Sequence, residues 1–266
     1  DMIKDALSKG ANKFIIGIGG SATNDGGIGM LASLGYQFLD KDNKPLEPVG
    51  KYLGDIISID DTNRVQGLDA CEFLIACDVD NPFYGKNGAA YIYGPQKGAN
   101  QETVEFLDKG LKHFSGIVKQ HTSIDVSHVS GAGAAGGLGG VFMAFLNGKL
   151  KPGIDIIFEK VTLEEKVKQA DIIITGEGKL DYQTVMSKAP IGVAKLGKKH
   201  GKIVIALAGS VTEDARSAHE HGITAMFSIL NQPLSLKEAM DKDRSSDLVK
   251  QHTKELMYLI TALKPQ

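Results

Sequence analysis

From about residue 163 onward the chain alternates short apolar runs with segments of helix length, and that alternation constrains the fold more than any other feature. The spacing predicts helix over 163–170, strand over 172–174, helix over 190–200, strand over 203–208, helix over 213–221 and strand over 224–230. A last helix carries Leu248, His252, Leu256, Leu259 and Leu263 on one face. Strands joined by helical crossovers run parallel, because a tight hairpin would reverse the chain instead. The tail therefore reads as Rossmann-like, with a parallel sheet. The front part is α/β too, but less regular. Helix is expected over 2–10, strands over 14–18 and 73–77, and a further strand over 89–93, broken by Gly94-Pro95. Val104, Leu107, Leu111, Phe114 and Val118 recur at spacings of three and four and mark an amphipathic helix over 101–120. The expected organisation is α/β with two domains, 1–164 and 165–266.

Composition narrows the function classes. The 266 residues carry 30 Lys+Arg against 32 Asp+Glu, for a formal net charge of −2. That balance argues against a nucleic-acid binder, whose domain is usually basic. Two cysteines, Cys71 and Cys77, cannot build a disulfide framework or a four-cysteine metal site, and they suit a reducing, cytoplasmic setting. The opening Asp1-Met2-Ile3-Lys4-Asp5 has no apolar core and is not a signal peptide. The stretch 126–148 has no Asp, Glu, Lys or Arg, but it is too crowded with Gly, Ser and His for a membrane span and reads as a buried glycine-rich loop plus helix. Neither nucleic acid nor membrane is expected as a partner. Glycine is the outlier, at 32 residues, against an average of about 7% of a chain. There is no collagen period, so the excess belongs to turns and ligand-cradling loops.

Three loops concentrate that glycine. The first is Gly19-Gly20-Ser21-Ala22-Thr23-Asn24-Asp25-Gly26-Gly27, between a strand and a helix expected over 29–34. This order brings backbone N–H groups and a helix N-terminus to one place, which suits an anion. Ser21 and Thr23 offer hydroxyls to phosphate oxygens, and Asp25 offers a carboxylate to Mg²⁺. A tight turn capped by Asn24 or Asp25 would look the same. The second loop, from Gly131 through Gly133 and Gly136 to Gly140, matches the G-x-G-x-x-G spacing of dinucleotide-binding folds. It lacks a firm strand before it, so close packing of helix on loop is the stronger reading, with a helix following over 141–146. The third, 175–184, follows the strand at 172–174 and offers Glu177, Lys179 and Asp181, with Lys188 nearby, to a ligand at a strand carboxyl end. A carboxylate there can act as base toward a hydroxyl, and a lysine can neutralise phosphate charge.

Other chemistries are absent from the pattern. No Gly-Lys pair is followed by Ser or Thr, so there is no Walker A loop. There is also no G-x-S-x-G elbow and no H-E-x-x-H.

Taken in order, "IGIGGSATNDGGIGMLASLG" from Ile16, "CDVDNPFYGKNGAA" from Cys77, "GPQKGA" from Gly94, "GAGAAGGLGG" from Gly131, "ITGEGKLDYQT" from Ile174 and "KAPIGVAK" from Lys188 resemble the bacterial glycerate kinases of the glycerate 2-kinase type. The resemblance runs over nearly the whole chain. It implies phosphoryl transfer from ATP, with Mg²⁺, to D-glycerate, giving 2-phosphoglycerate and ADP. It also implies a Rossmann-like domain and an inserted α/β domain, with the site between them. On that resemblance Gly19, Gly20, Ser21, Thr23, Asn24, Gly133 and Gly136 are candidates for holding ATP, and Asp25 and Asp78 for the metal. Glu177, Gln183, Thr184 and Asn81 are candidates for the substrate, with Asp181, Lys179 and Lys188 for catalysis. Members of that family extend further at the N-terminus by roughly a hundred residues, close to a domain in itself, so a chain opening at Asp1 is expected to lack that segment and some strands of its Rossmann-like part. The family reads Gly-Lys before Ala-Pro where this chain has Ser187-Lys188. A nicotinamide-dependent oxidoreductase and a binding-only fragment are the alternatives, and homo-oligomerisation is left open.

Overall fold

The computed structural model describes residues 1–181 and 189–263. The chain divides into two compact units, Asp1–Ile156 and Ile157–Gln266.

The first unit is organised by a parallel sheet of β1 (Lys13–Gly17), β4 (Glu72–Ala76) and β5 (Lys149–Lys151), in the order β1-β4-β5. Helix α1 (Met2–Ser8) precedes β1, and α2 (Ile28–Ser33) follows the first glycine-rich loop. A small antiparallel pair, β2 (Gln37–Leu39) with β3 (Ser58–Asp60), comes between α2 and β4. Residues after β4 form α3 (Ala89–Tyr93), the long α4 (Gln101–Thr122) and α5 (Leu138–Leu146). Helix α4 starts where the Asn100 side chain accepts the Thr103 N–H at 2.8 Å, an N-cap of the usual kind. Its apolar stripe works as the spacing predicts: Val104, Leu111, Phe114 and Val118 are buried. They meet Phe38, Phe73 and Phe83 in one core, with Phe14 stacked on Phe73. The uncharged stretch 126–148 is the loop and helix expected of it, and among the described residues no helix is long and apolar enough to cross a membrane.

Residues 89–93 are helical, not a strand. The β-propensity of Tyr91-Ile92-Tyr93 is overridden by tertiary packing. Ala89 and Ala90 are fully buried, and the Ile92 and Gly94 N–H groups bond back to the Gly88 and Ala90 carbonyls, closing helical turns. The helix expected from 141 begins earlier, at Leu138, after a 3-10 turn over Ala134–Gly137.

The second unit follows the expected alternation. Helix α6 (Gly153–Lys160) leads into it, and α7 (Leu163–Gln169) precedes β6 (Ile172–Leu180). Then come α8 (Ala189–Lys199), β7 (Ile203–Val211), a 3-10 turn over Glu213–His219 and β8 (Ala225–Ser228). The short α9 (Leu236–Ala239) and the long α10 (Lys242–Leu263) close the chain. The sheet is parallel in the order β6-β7-β8. One sheet face packs Val204, Ala206 and Ala208 against Ile191 and Ala194 of α8. The other packs Ile205 and Leu207 against Leu248 of α10. Strand β6 is longer than the apolar run predicts: it continues through Thr175-Gly176-Glu177-Gly178-Lys179, paired with β7. Glycine is a weak strand former, but Gly176 is required here, because a Cβ would sit 2.3 Å from the Leu207 carbonyl oxygen of β7.

Two predictions follow from this packing. Phe114→Ala removes a fully buried ring, and urea unfolding should show a loss of about 3–5 kcal/mol. On α7, Glu164 accepts from Lys199 at 2.7 Å and His200 at 2.8 Å. Those bonds, Lys199 first, hold its carboxyl down to about 2 from 4.5. A depressed acid stabilises the fold above its unfolded pKa and loses that effect as pH falls through the folded one. The stability difference between the native chain and Glu164→Gln should therefore be constant above about pH 5 and close as pH falls toward about 2.

Candidate active site

The first glycine-rich loop joins β1 to α2, and Asp25 holds its α2 end. Asp25 accepts the Gly27 N–H at 2.9 Å on one oxygen and the Gly29 N–H at 3.0 Å on the other. It thus satisfies donors at the α2 N-terminus that the helix leaves unpaired. Both amide atoms of Asn24 are buried without a hydrogen-bond partner among the described residues. Such a group costs about 1–3 kcal/mol.

The second glycine-rich loop buttresses the first. The Gly26 N–H donates to the Gly136 carbonyl at 2.9 Å. Gly136 has φ +71°, and a Cβ there would lie 2.2 Å from the Thr23 carbonyl oxygen. Gly133 is packed as tightly, with a Cβ position 2.1 Å from the Pro82 carbonyl oxygen. Gly133 and Gly136 are therefore buried against neighbouring backbone, and the residues of this loop that reach the cavity beside it are Ala134 and Ala135. The loop follows an irregular segment rather than a strand. It lacks the strand-turn-helix context that a dinucleotide fingerprint needs.

A cavity of about 260 Å³ opens where the first loop meets the carboxyl end of β4 and the end of α3. Gly19, Gly20, Ser21, Asp78, Tyr93 and Lys97 are in its wall. Lys97 is half-buried; its ammonium donates to the Ser21 Oγ at 2.9 Å and to the Thr23 carbonyl, and lies 6.0 Å from the centre of the Tyr93 ring. Burial pushes this lysine below the usual range, and the Asp25 carboxylate partly restores it. Asn81 does not line the cavity. Its Oδ1 accepts the Tyr93 hydroxyl and its Nδ2 donates to the Asn87 carbonyl at 2.9 Å, so it positions Tyr93. Asp78 is exposed in the wall and accepts the Gly153 N–H at 2.9 Å. Cys77, also in the wall, has its thiol pushed up by burial.

The third motif lies in the second unit, on β6 and just past it. Glu177 and Lys179 sit on β6, in register with Ala208 and Ser210 of β7. Lys179 pairs with Asp181 at 3.3 Å, and the Asp181 side chain is only 13% exposed. These groups stand at the carboxyl end of a parallel strand, where open α/β sheets bind ligands. Gln183, Thr184 and Lys188 lie outside the described residues.

A sequence model of the glycerate kinase family matches residues 1–261. The chain belongs to the glycerate kinase family. It is 45% identical over 244 residues to a glycerate kinase of Halalkalibacterium halodurans, a match covering 92% of this chain and 64% of that one. It is 45% identical over 239 residues to the glycerate 2-kinase of Escherichia coli K12, covering 90% and 63%. The chain thus spans somewhat under two thirds of the length of these curated relatives. A solved structure of a glycerate kinase 2 from Salmonella typhimurium LT2 superposes with a TM-score of 0.85 at 39% identity, covering 98% of this chain and 67% of that one. The mixed α/β fold with parallel sheets is that of this family.

Sequence reasoning missed Lys97 and Tyr93 as site residues. The signal was present in the Gly94-Pro95-Gln96-Lys97 turn, but nothing in the spacing says that this turn faces the first loop. The interlock of the two loops predicts that Gly136→Ala will lower the chain's unfolding free energy by at least about 3 kcal/mol, through a clash with fixed backbone and a strained φ. Urea denaturation measures it.

Proposed function

We propose that this chain, whose relatives are named glycerate kinase and glycerate 2-kinase, phosphorylates D-glycerate with ATP to give 2-phosphoglycerate and ADP. The observation that supports this most is the small cavity in which the backbone of the first loop, a half-buried lysine and an exposed carboxylate converge, in a chain of the glycerate kinase family. Phosphoryl transfer needs positioning and charge neutralisation more than covalent chemistry, and these groups supply both.

The proposed roles follow from placement. Gly19, Gly20, Ser21 and Thr23 belong to the loop that receives phosphate oxygens of ATP. Asn24, its amide atoms lacking partners, belongs there too. Gly133 and Gly136 act indirectly, by holding that loop. Asp181 orients the glycerate hydroxyl and takes its proton. Lys179 stands 3.3 Å from that carboxyl. Glu177 is assigned to glycerate from the sequence pattern, and Asn81 positions Tyr93 in the wall of the first unit's cavity. Gln183 and Thr184 are assigned to glycerate and Lys188 to catalysis from the sequence pattern alone.

Mg²⁺ holds few protein ligands when it works with nucleotide phosphates, commonly one or two carboxylates. Asp78 fits that description, because it is exposed in the cavity wall with one oxygen engaged by a single N–H. Asp25 fits less well, since both of its oxygens accept backbone N–H groups. Among the described residues no group of three His, Cys, Asp or Glu side chains gathers as a cage. When bound, the ion supplies positive charge to the phosphate oxygens. The cytoplasm is the setting this reading takes, and two free thiols support it.

Glycerate-dependent release of ADP by this chain, with ATP and Mg²⁺ in excess, tests the proposal. ADP above the control without glycerate is expected, and its absence overturns the proposal for this chain. Asp181→Asn should lower kcat by at least about a hundredfold if that carboxylate is the base. A loss of less than about tenfold removes it from the role.

A further inference from the structure

Lys97 is the cation in the wall of the first unit's cavity. Among the described residues its hydrogen-bond acceptors, the Ser21 hydroxyl and the Thr23 carbonyl, are both neutral. The Asp25 carboxylate supports its charge from nearby but makes no hydrogen bond to it among the described residues. Asp25 is turned to the Gly27 and Gly29 N–H groups, and Asp78 to that of Gly153. The Tyr93 hydroxyl bonds Asn81, and both it and the Cys77 thiol are pushed upward by burial. A half-dehydrated ammonium whose direct hydrogen bonds go to neutral oxygens can take a bound anion as a further counter-charge.

Elsewhere in the cavity lining, Gly19 leaves room for one. A Cβ at Gly19 would meet nothing within 4 Å, and its φ is not in the left-handed region, so neither packing nor conformation requires glycine there. Space for an occupant is what a side chain at Gly19 would take away. At about 260 Å³ the cavity is smaller than the roughly 300–1,000 Å³ of pockets that enclose drug-sized ligands. It suits a small acid or one phosphoryl group rather than a whole nucleotide.

We infer that Lys97 is the counter-cation for a small oxyanion, a carboxylate or a phosphoryl group, bound in this cavity between Lys97 and Gly19. The inference rests on the kinase reading only for naming D-glycerate as the source of the carboxylate. Lys97 itself was assigned no role by the sequence pattern.

Acetylation of the 266-residue chain, read at each lysine by peptide mass spectrometry, tests this without a substitution. D-Glycerate and inorganic phosphate are added separately. At about ten times the Kd, the protecting anion should slow labelling of Lys97 by roughly tenfold and leave exposed Lys41 unchanged. Protection by glycerate assigns the site to the carboxylate, and protection by phosphate assigns it to the phosphoryl group. Protection by neither overturns the inference. Lys97→Met should weaken the protecting anion at least about tenfold, as measured by calorimetry, and retention of affinity within about twofold in a folded variant overturns the inference as well. Should Lys97→Met fail to fold, Gly19→Leu puts a bulky side chain at another lining position of the same cavity. It should abolish protection of Lys97 while the unfolding midpoint stays unchanged, and persistence of protection overturns the inference. Glycerate-dependent ADP with Lys97 unprotected would sink this inference and spare the kinase reading. Protection without ADP would do the reverse.

Discussion

The hydrogen bond from the Gly26 N–H to the Gly136 carbonyl is the contact on which the first unit's site depends. It brings two loops, more than a hundred residues apart in sequence, to backbone distance. That approach is open only to chains without Cβ atoms at the crossing. Gly27 shows the same constraint from the other side, since a Cβ there would lie 2.3 Å from a Val141 methyl of α5. Once the loops are locked, Asp25 can cap α2, Ala134 and Ala135 face the cavity, and Thr23 presents its carbonyl to Lys97. Ala135 is held at φ 54° in that arrangement. A non-glycine residue in the left-handed region is uncommon. Its place in the cavity wall fits the tendency of strained backbone to collect at functional sites.

Electrostatics then separates the two candidate sites by character. In the first unit a lysine is half-dehydrated, and its neighbours are mainly hydroxyls, carbonyls and engaged carboxylates. In the second unit the lysine is more exposed, and an acid beside it is largely shielded, at 57% and 13% respectively. The first arrangement suits holding an anion. The second places a shielded carboxylate beside a more exposed lysine at the carboxyl end of a parallel strand.

The sequence made the alternating part of the fold legible because periodicity reports burial directly. Val204 and Ala206 fall on one sheet face and Ile205 and Leu207 on the other, as a strand period of two requires. Periodicity failed where contacts distant in sequence decide. Residues 89–93 read as a strand from Tyr91-Ile92-Tyr93, yet Ala89 and Ala90 are buried in a helix. The glycines after Ile174 read as a loop, yet pairing with β7 extends the strand to Leu180. The strands Gln37–Leu39, Ser58–Asp60 and Lys149–Lys151 are too short to leave a period at all. Within the two candidate sites, the chemistry proposed for Asp181, Lys179 and Ser21 could be named from residue type. The proximity of Lys97 to Ser21 could not, because it depends on how a turn 76 residues away folds back.

Glycine shows most plainly what a pattern can and cannot say. Gly19, Gly133, Gly136 and Gly178 are indistinguishable as letters in glycine-rich motifs. Their surroundings divide them. At Gly133 and Gly136 a Cβ would collide with a backbone carbonyl oxygen, so those glycines serve the packing. At Gly19 and Gly178 a Cβ meets nothing within 4 Å and φ is not in the left-handed region. A glycine that neither packing nor backbone conformation demands marks open space beside the chain. Gly19 borders the cavity of Lys97, and Gly178 stands between Glu177 and Lys179. The G-x-G-x-x-G spacing, for which helix-on-loop packing is already the stronger reading from sequence, is the one that packing accounts for. The open space lies at glycines whose spacing matched no fingerprint, and both of them stand next to the charged and polar groups on which the proposed chemistry depends.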